Sequence, residues 1–177
     1  YAILYELNEA VLEKAKASIE KNLQSLVEKR KITGNAKEET RNNLRFTNNL
    51  HDCLGDVIIE AIIEKPEAKI ALFNQLAEIN HSETVFASNT SSLSITQIAQ
   101  GVKNPERVIG MHFFNPATIM KLVEVVVTDQ TDAQTTDTVI GLAKKMGKIP
   151  VICSDHPGFI VNRVARPYYI ETLRLVE

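Results

Sequence analysis

The sequence is poor in the features that mark a disulfide scaffold, a membrane span or a nucleic-acid-binding surface. It has 2 cysteines among 177 residues. Cys53 and Cys153 lie far apart, in no Cys-x-x-Cys or Cys/His spacing, which argues against a disulfide framework and against a zinc site. No apolar run approaches the roughly 18 residues of a membrane-spanning helix. Neither sign of charge dominates: 20 Lys and Arg against 22 Asp and Glu leave a net charge of -2, too even for a broad footprint on nucleic acid or an anionic membrane. No secretory pattern of basic start, apolar run and small-residue cleavage site opens the chain, and internal repeats, low-complexity tracts and linkers are lacking. What remains is 44% hydrophobic and 24% charged, the balance of one globular domain, or one domain with a piece of a second. The expectation is a soluble, cytoplasmic protein.

Both ends run straight into structure. Tyr1 to Tyr5 is an apolar, aromatic run that stops at Glu6 and reads as a buried strand already under way. Phe159 to Glu177 has helical apolar spacing with no Gly or Pro stop signal. A domain that starts on a strand and stops in a helix reads as a fragment. Between the ends, Asn8 suits a helix N-cap, with Glu9 in the first turn where the helix dipole favours negative charge. Apolar residues from Val11 to Val27 recur at three- and four-residue steps and predict a helix to about Ile32, halted near Gly34. Short strands are expected over 44–47, within the run VIIEAIIE after Asp56, and over 84–87, 107–111, 122–127 and 149–153. Helices are expected over 67–79 after Pro66, over 95–99, and over 135–146 before Gly147. Strands alternating with helices point to a doubly wound, mainly parallel α/β sheet. After the Asp155-His156-Pro157-Gly158 turn the pattern becomes helix only, as if a helical domain begins there.

Ligands of open α/β sheets bind beyond the carboxyl ends of the strands, and three candidate positions fall there. Glu6 ends the first strand. A carboxylate at that point of a dinucleotide-binding fold accepts hydrogen bonds from ribose hydroxyls, although an acidic residue at a strand end is commonplace. The glycine-rich turn that should precede it is absent, since none of the 7 glycines forms Gly-x-Gly-x-x-Gly. The second position is Ser88-Asn89-Thr90-Ser91-Ser92, whose small polar groups serve either a ligand or the cap of the next helix. The third is Met111-His112-Phe113-Phe114-Asn115-Pro116, followed by Leu122-Val123-Glu124-Val125-Val126. Glu124 interrupts a strand of Leu and Val. A carboxylate buried there needs a partner, and His112 is the natural one, a general base oriented by its acid. His51, His81 and His156 have no comparable setting. Lys29, Arg30 and Lys31 read equally as a solvated helix end or as a ligand contact.

The strings ASNTSSL, GMHFFNPA, MKLVEVV and DHPGFIVNR, in this order, resemble the NAD-dependent 3-hydroxyacyl-CoA dehydrogenase family, including bacterial 3-hydroxybutyryl-CoA dehydrogenases. EAIIEKPEAK and the opening strand ending in Glu6 fit the same family, and the resemblance covers essentially the whole chain. It implies a Rossmann-type NAD-binding domain over residues 1–155, lacking its first strand and glycine-rich loop, and the start of a C-terminal helical substrate and dimerisation domain over 156–177. It further implies NAD as cofactor, an acyl-CoA substrate and a homodimer in the complete enzyme, without metal. His112 is expected as the base and Glu124 as the carboxylate that orients it. Ser91 is expected to touch both substrate and nicotinamide, and Asn162 to hold the substrate oxygen. On the cofactor side stand Glu6, Ala61, Glu64, Lys69 and Asn115. For coenzyme A the resemblance points to Lys29 and to Asn22, where the family more often has serine. The dehydrogenase part of a bifunctional β-oxidation protein and a non-catalytic nucleotide-binding homologue are the alternative readings.

Overall fold

The computed structural model describes residues 1–176, which form two compact units divided between Leu54 and Gly55. In the first, strand β1 (Ala2–Tyr5) pairs in parallel with β2 (Leu44–Thr47), Ala2 opposite Leu44 and Tyr5 opposite Thr47. Helices α1 (Glu9–Glu28) and α2 (Gly34–Asn42) make the crossover. The Asn8 side chain caps α1 by accepting from the Ala10 and Val11 amides, which satisfies two of the donors that a helix start leaves open. The helix stops four residues short of Ile32. Arg30 adopts a left-handed φ of 54°, and the Lys31 amide reaches back to Leu26 O while that of Arg30 reaches Val27 O. This paired closure ends a helix whatever the apolar spacing beyond it. Gly34 opens α2 rather than halting α1, with Thr33 as its cap.

The second unit holds a five-stranded sheet in the order β3 (Val57–Glu60), β4 (Val85–Ser88), β5 (Val108–Phe113), β6 (Leu122–Val127) and β7 (Ile149–Ser154). All neighbours are parallel except β5 and β6, which follow one another through the loop 114–121. Helices α3 (Pro66–Ile79), α4 (Ile95–Gln100) and α5 (Ala133–Lys145) alternate with the strands, and α6 (Val161–Arg174) follows β7. The architecture is thus α/β of Rossmann type, its strands divided between two sheets. Of the run VIIEAIIE only the first four residues are strand. The Glu60 carboxylate accepts the Ile62 amide and turns the chain away from the sheet.

Val85, Ala87, Ile109, Met111, Val123 and Val125 bury one face of the sheet against Val139 and Ala143 of α5. Each such side chain contributes roughly 1.5–3 kcal/mol on full burial. Phe73 of α3 packs on Phe86 with ring centroids 5.3 Å apart. Gly110 allows the closest approach in this core: a β-carbon there would lie 2.7 Å from Val126 Cβ and 3.0 Å from Ile95 of α4. The strand that carries His112 therefore passes under α4 only because it has no side chain at that point. Among the described residues, no helix is long and apolar enough to cross a membrane.

Candidate active site

Antiparallel register sets His112 of β5 directly opposite Glu124 of β6. His112 Nδ1 lies 2.7 Å from Glu124 Oε2, with His112 4% and Glu124 1% exposed. A carboxylate only accepts, so Nδ1 carries the hydrogen, and in the neutral ring the lone pair is on Nε2. The second oxygen, Oε1, accepts the amides of Ile160 at 2.9 Å and Val161 at 2.8 Å. Three hydrogen bonds thus offset the cost of burying this carboxylate in a strand of valines. The imidazole is flanked by Phe114 and Phe159, at centroid distances of 4.6 and 5.7 Å. Cys153 lies close by, and burial, with the Glu124 and Asp155 carboxylates adding to it, pushes its thiol up to about 11. It remains a thiol near neutral pH, the less nucleophilic of its two forms.

The Ser88–Ser92 segment leaves the end of β4 and is built almost wholly from side chains bonding to main chain and to acids. Asn89 Oδ1 accepts the Phe113 amide at 2.9 Å, next to His112. Thr90 Oγ1 donates to Glu64 Oε1, which also accepts the Ser91 amide. Thr90 also caps the turn by accepting from the amides of Ser92 and Leu93. The Ser91 carbonyl accepts from the Asn162 side chain at 3.1 Å, joining this loop to α6. The segment therefore serves capping, one of the two purposes weighed from the sequence, and ties the ends of β3 and β5 to α6.

Beneath it lies a second buried acid. Glu60, at the end of β3, receives Lys69 Nζ at 2.6 Å and Ser88 Oγ at 2.7 Å. Lys69 is 1% exposed and sits between Glu60 and Glu64, the latter at 3.0 Å. Burial raises the Glu64 carboxyl, but bonds from Ser91, Thr90 and Lys69 outweigh it and hold the group below the usual glutamate range.

Within the second unit, hydrogen bonds and the short backbone from Ile160 to Asn162 thus join His112, Glu124, Asn162, Ser91, Glu64 and Lys69. Ala61 stands exposed at the end of β3, and Asn115 is exposed in the loop after β5. Lys148 holds that loop through the carbonyls of Ala117 and Met120. Glu6, Asn22 and Lys29 belong to the first unit. Glu6 ends β1 and accepts the Asn8 amide at 2.9 Å, while Asn22 and Lys29 lie on the exposed side and end of α1. A cavity of about 550 Å³ in this unit, lined by Glu20, Leu23, Arg41 and Phe46 among others, contains none of these groups. Sequence reasoning placed Ser88 and Asn89 within a candidate segment without assigning either a role, and it missed Glu60 and Asp155. For Glu60 a signal was present, a carboxylate inside an apolar strand, the same one that singles out Glu124.

Comparison with known proteins identifies the family. The family described as "3-hydroxyacyl-CoA dehydrogenase, NAD binding domain" matches residues 2–156. The chain is 47% identical to 3-hydroxyadipyl-CoA dehydrogenase of Escherichia coli K12 over 99% of its own length and 37% of the relative's. It is 41% identical to the mitochondrial hydroxyacyl-coenzyme A dehydrogenase of Rattus norvegicus, over 99% of this chain and 58% of that one. The crystal structure of 3-hydroxybutyryl-CoA dehydrogenase from Escherichia coli K12 superposes with a TM-score of 0.95 at 46% identity, covering 98% of this chain and 37% of that one. The chain therefore spans between about a third and three fifths of these relatives. With a family match over most of its length and a fold to the same pattern, the chain belongs to the 3-hydroxyacyl-CoA dehydrogenase family, as its NAD-binding domain.

Proposed function

We propose that this chain supplies the base and the cofactor platform of an NAD-dependent dehydrogenase that interconverts (S)-3-hydroxyacyl-CoA and 3-oxoacyl-CoA. The observation that carries the reading is the pair itself: a buried imidazole with Nδ1 bound to Glu124, 2.7 Å away, and Nε2 left to accept a proton. His112 takes the proton of the substrate 3-hydroxyl, and Glu124 keeps the ring in the productive tautomer and balances the imidazolium. NAD, when bound, accepts the hydride from C3. Ser91 and Asn162, already tied to each other, hold the substrate oxygen. In the reverse direction His112 starts protonated and acts as the acid.

The donor set suits the cofactor. Ala61 offers no bulk at the end of β3, the Glu64 carboxylate is fixed yet about half exposed, and the Asn115 carboxamide is exposed. We assign these to the nicotinamide side, with Lys69 beneath Glu64, and Glu6 to the adenosine ribose, where a carboxylate favours NAD over NADP. Asn22 and Lys29 are assigned to the coenzyme A moiety, the whole acting as a cytoplasmic homodimer. A second reading, the dehydrogenase segment of a bifunctional protein, draws on the 38% identity to a fatty acid oxidation complex subunit alpha of Psychrobacter cryohalolentis, of which this chain covers 23%.

The test is NADH oxidation with acetoacetyl-CoA by the protein as its source makes it, beside His112→Gln. The variant should lose about 10²–10⁴-fold in turnover, the contribution of a positioned general base, with NADH affinity little changed. Full turnover in the variant would exclude His112 as the base.

A further inference from the structure

The Ser91 loop and the start of α6 come from segments far apart in sequence, yet the proposed reaction needs Ser91 and Asn162 to meet the same substrate oxygen. A single hydrogen bond between the Asn162 side chain and the Ser91 carbonyl joins them directly. A second link lies just outside the site. Asp155, one residue beyond β7, accepts both the Ser94 hydroxyl at 2.7 Å and the Thr96 amide at 2.8 Å through the same oxygen. Ser94 is itself the cap of α4, accepting the Gln97 amide, so Asp155 grips the junction of the Ser91 loop and its helix.

On the other side of Asp155 the chain has little freedom. The Asp155 amide is bonded to Val127 O. Gly158 turns with φ at 77°, where a β-carbon would meet the Arg163 amide nitrogen at 3.0 Å. Phe159 is buried against the His112 ring, and the next two amides bind Glu124. The segment from Asp155 to Asn162 is thus held at Asp155, Phe159, Ile160 and Val161.

We propose that Asp155 is a positioning residue, which sets the Ser91 loop against the α6 start so that Ser91 and Asn162 converge on one substrate oxygen. The inference rests on the assignment of Ser91 and Asn162 made above. It explains why a charged residue stands at this point: a carboxylate bonds hydroxyl and amide donors about twice as strongly as a neutral acceptor does. Misplacement of positioned groups by about 1 Å costs on the order of a hundredfold in rate, so a clamp away from the reacting atoms still shows in kinetics.

The experiment compares Asp155→Ala and Asp155→Asn with the unaltered protein, by acetoacetyl-CoA-dependent NADH oxidation and by amide hydrogen exchange. Asp155→Ala should raise the KM for acetoacetyl-CoA and lower kcat, about tenfold to a hundredfold together in kcat/KM. It should also speed exchange over residues 91–97 and 160–163. Asp155→Asn, whose neutral carboxamide oxygen can accept the same two bonds at about half the strength, should recover part of both losses. A lower melting temperature in Asp155→Ala with kcat and KM untouched would overturn the proposal, because the residue would then be only a structural support. So would an Asp155→Asn variant as impaired as Asp155→Ala. Absence of turnover in the unaltered protein would instead overturn the dehydrogenase reading and, with it, the catalytic purpose of the clamp. Exchange would still report whether Asp155 holds the loop.

Discussion

Glu60 and Glu124 occupy comparable settings, each a nearly inaccessible carboxylate in an otherwise aliphatic strand, and each receiving three hydrogen bonds. They differ in the partner that stands opposite. Glu60 faces the amine of Lys69 at 2.6 Å, a second acid, Glu64, lying on the other side of it. Glu124 faces an imidazole, the side chain whose charge changes near neutrality. Burial and hydrogen bonding are thus shared by both acids and do not distinguish the partner of the proposed base from a strut. The identity of the partner does, together with a second ring nitrogen left unengaged by the acid.

The comparison can be broken most sharply at Lys69. Lys69→Met leaves Glu60 buried without its cation, and a buried charge stripped of its partner costs about 3–5 kcal/mol. Denaturant unfolding of the variant should show this loss, and the double variant Glu60→Gln with Lys69→Met should regain most of it. A loss below about 1 kcal/mol, the range of an exposed pair, would mean that Glu60 has another source of compensation. At the other acid the stability effect is smaller and the kinetic effect appears. In Glu124→Gln, a carboxamide whose oxygen serves the α6 amides turns its NH2 toward His112, which forces the ring hydrogen onto Nε2 and removes the proposed base. This substitution should therefore cost about 1–3 kcal/mol in stability and about 10²–10⁴-fold in turnover, as loss of the base itself does. Turnover at the level of the unaltered protein would dissolve the distinction drawn between the two acids.

The same physics sets how much of the molecule is legible in the sequence. Periodicity reported the alternation of strands and helices because each element buries a continuous apolar face; Leu122–Val127 and the α3 helix are found within a residue of where the pattern places them. It overran α1, since Ile32 continues the spacing while Arg30 has already closed the helix. It was silent on α2, whose sequence GNAKEETRN has no apolar face to report. The antiparallel turn of β6 and the division of strands between two sheets depend on pairings that local patterns do not encode. In the site, His112 with Glu124 was legible because an acid among valines demands a nearby partner. The contacts of Asp155 with Ser94 and Thr96, and of Asn162 with Ser91, span more than fifty residues each. No spacing rule reaches that far, so these links emerge only from the fold.

The finest division between strut and site runs through Glu64, which touches both. Its carboxylate binds Lys69 on one oxygen and the Ser91 amide and Thr90 hydroxyl on the other. These bonds outweigh the opposing effect of burial and hold the group below its ordinary value of 4.5. A depressed carboxyl contributes stability that is complete above the ordinary value and is lost as pH falls through the folded value. With 45% of the side chain open to water, screening limits that contribution to about 0.5 kcal/mol. Glu64→Gln should accordingly be less stable than the unaltered protein by this amount at neutral pH. The gap should narrow as the pH is lowered below the ordinary value, because the acid then becomes as neutral as the amide. Paired melting curves across that range measure it directly. A gap that widens in acid would mean that Glu64 is held as the neutral acid in the fold, placing it with the site that water and cofactor reach rather than with the ion pair beneath.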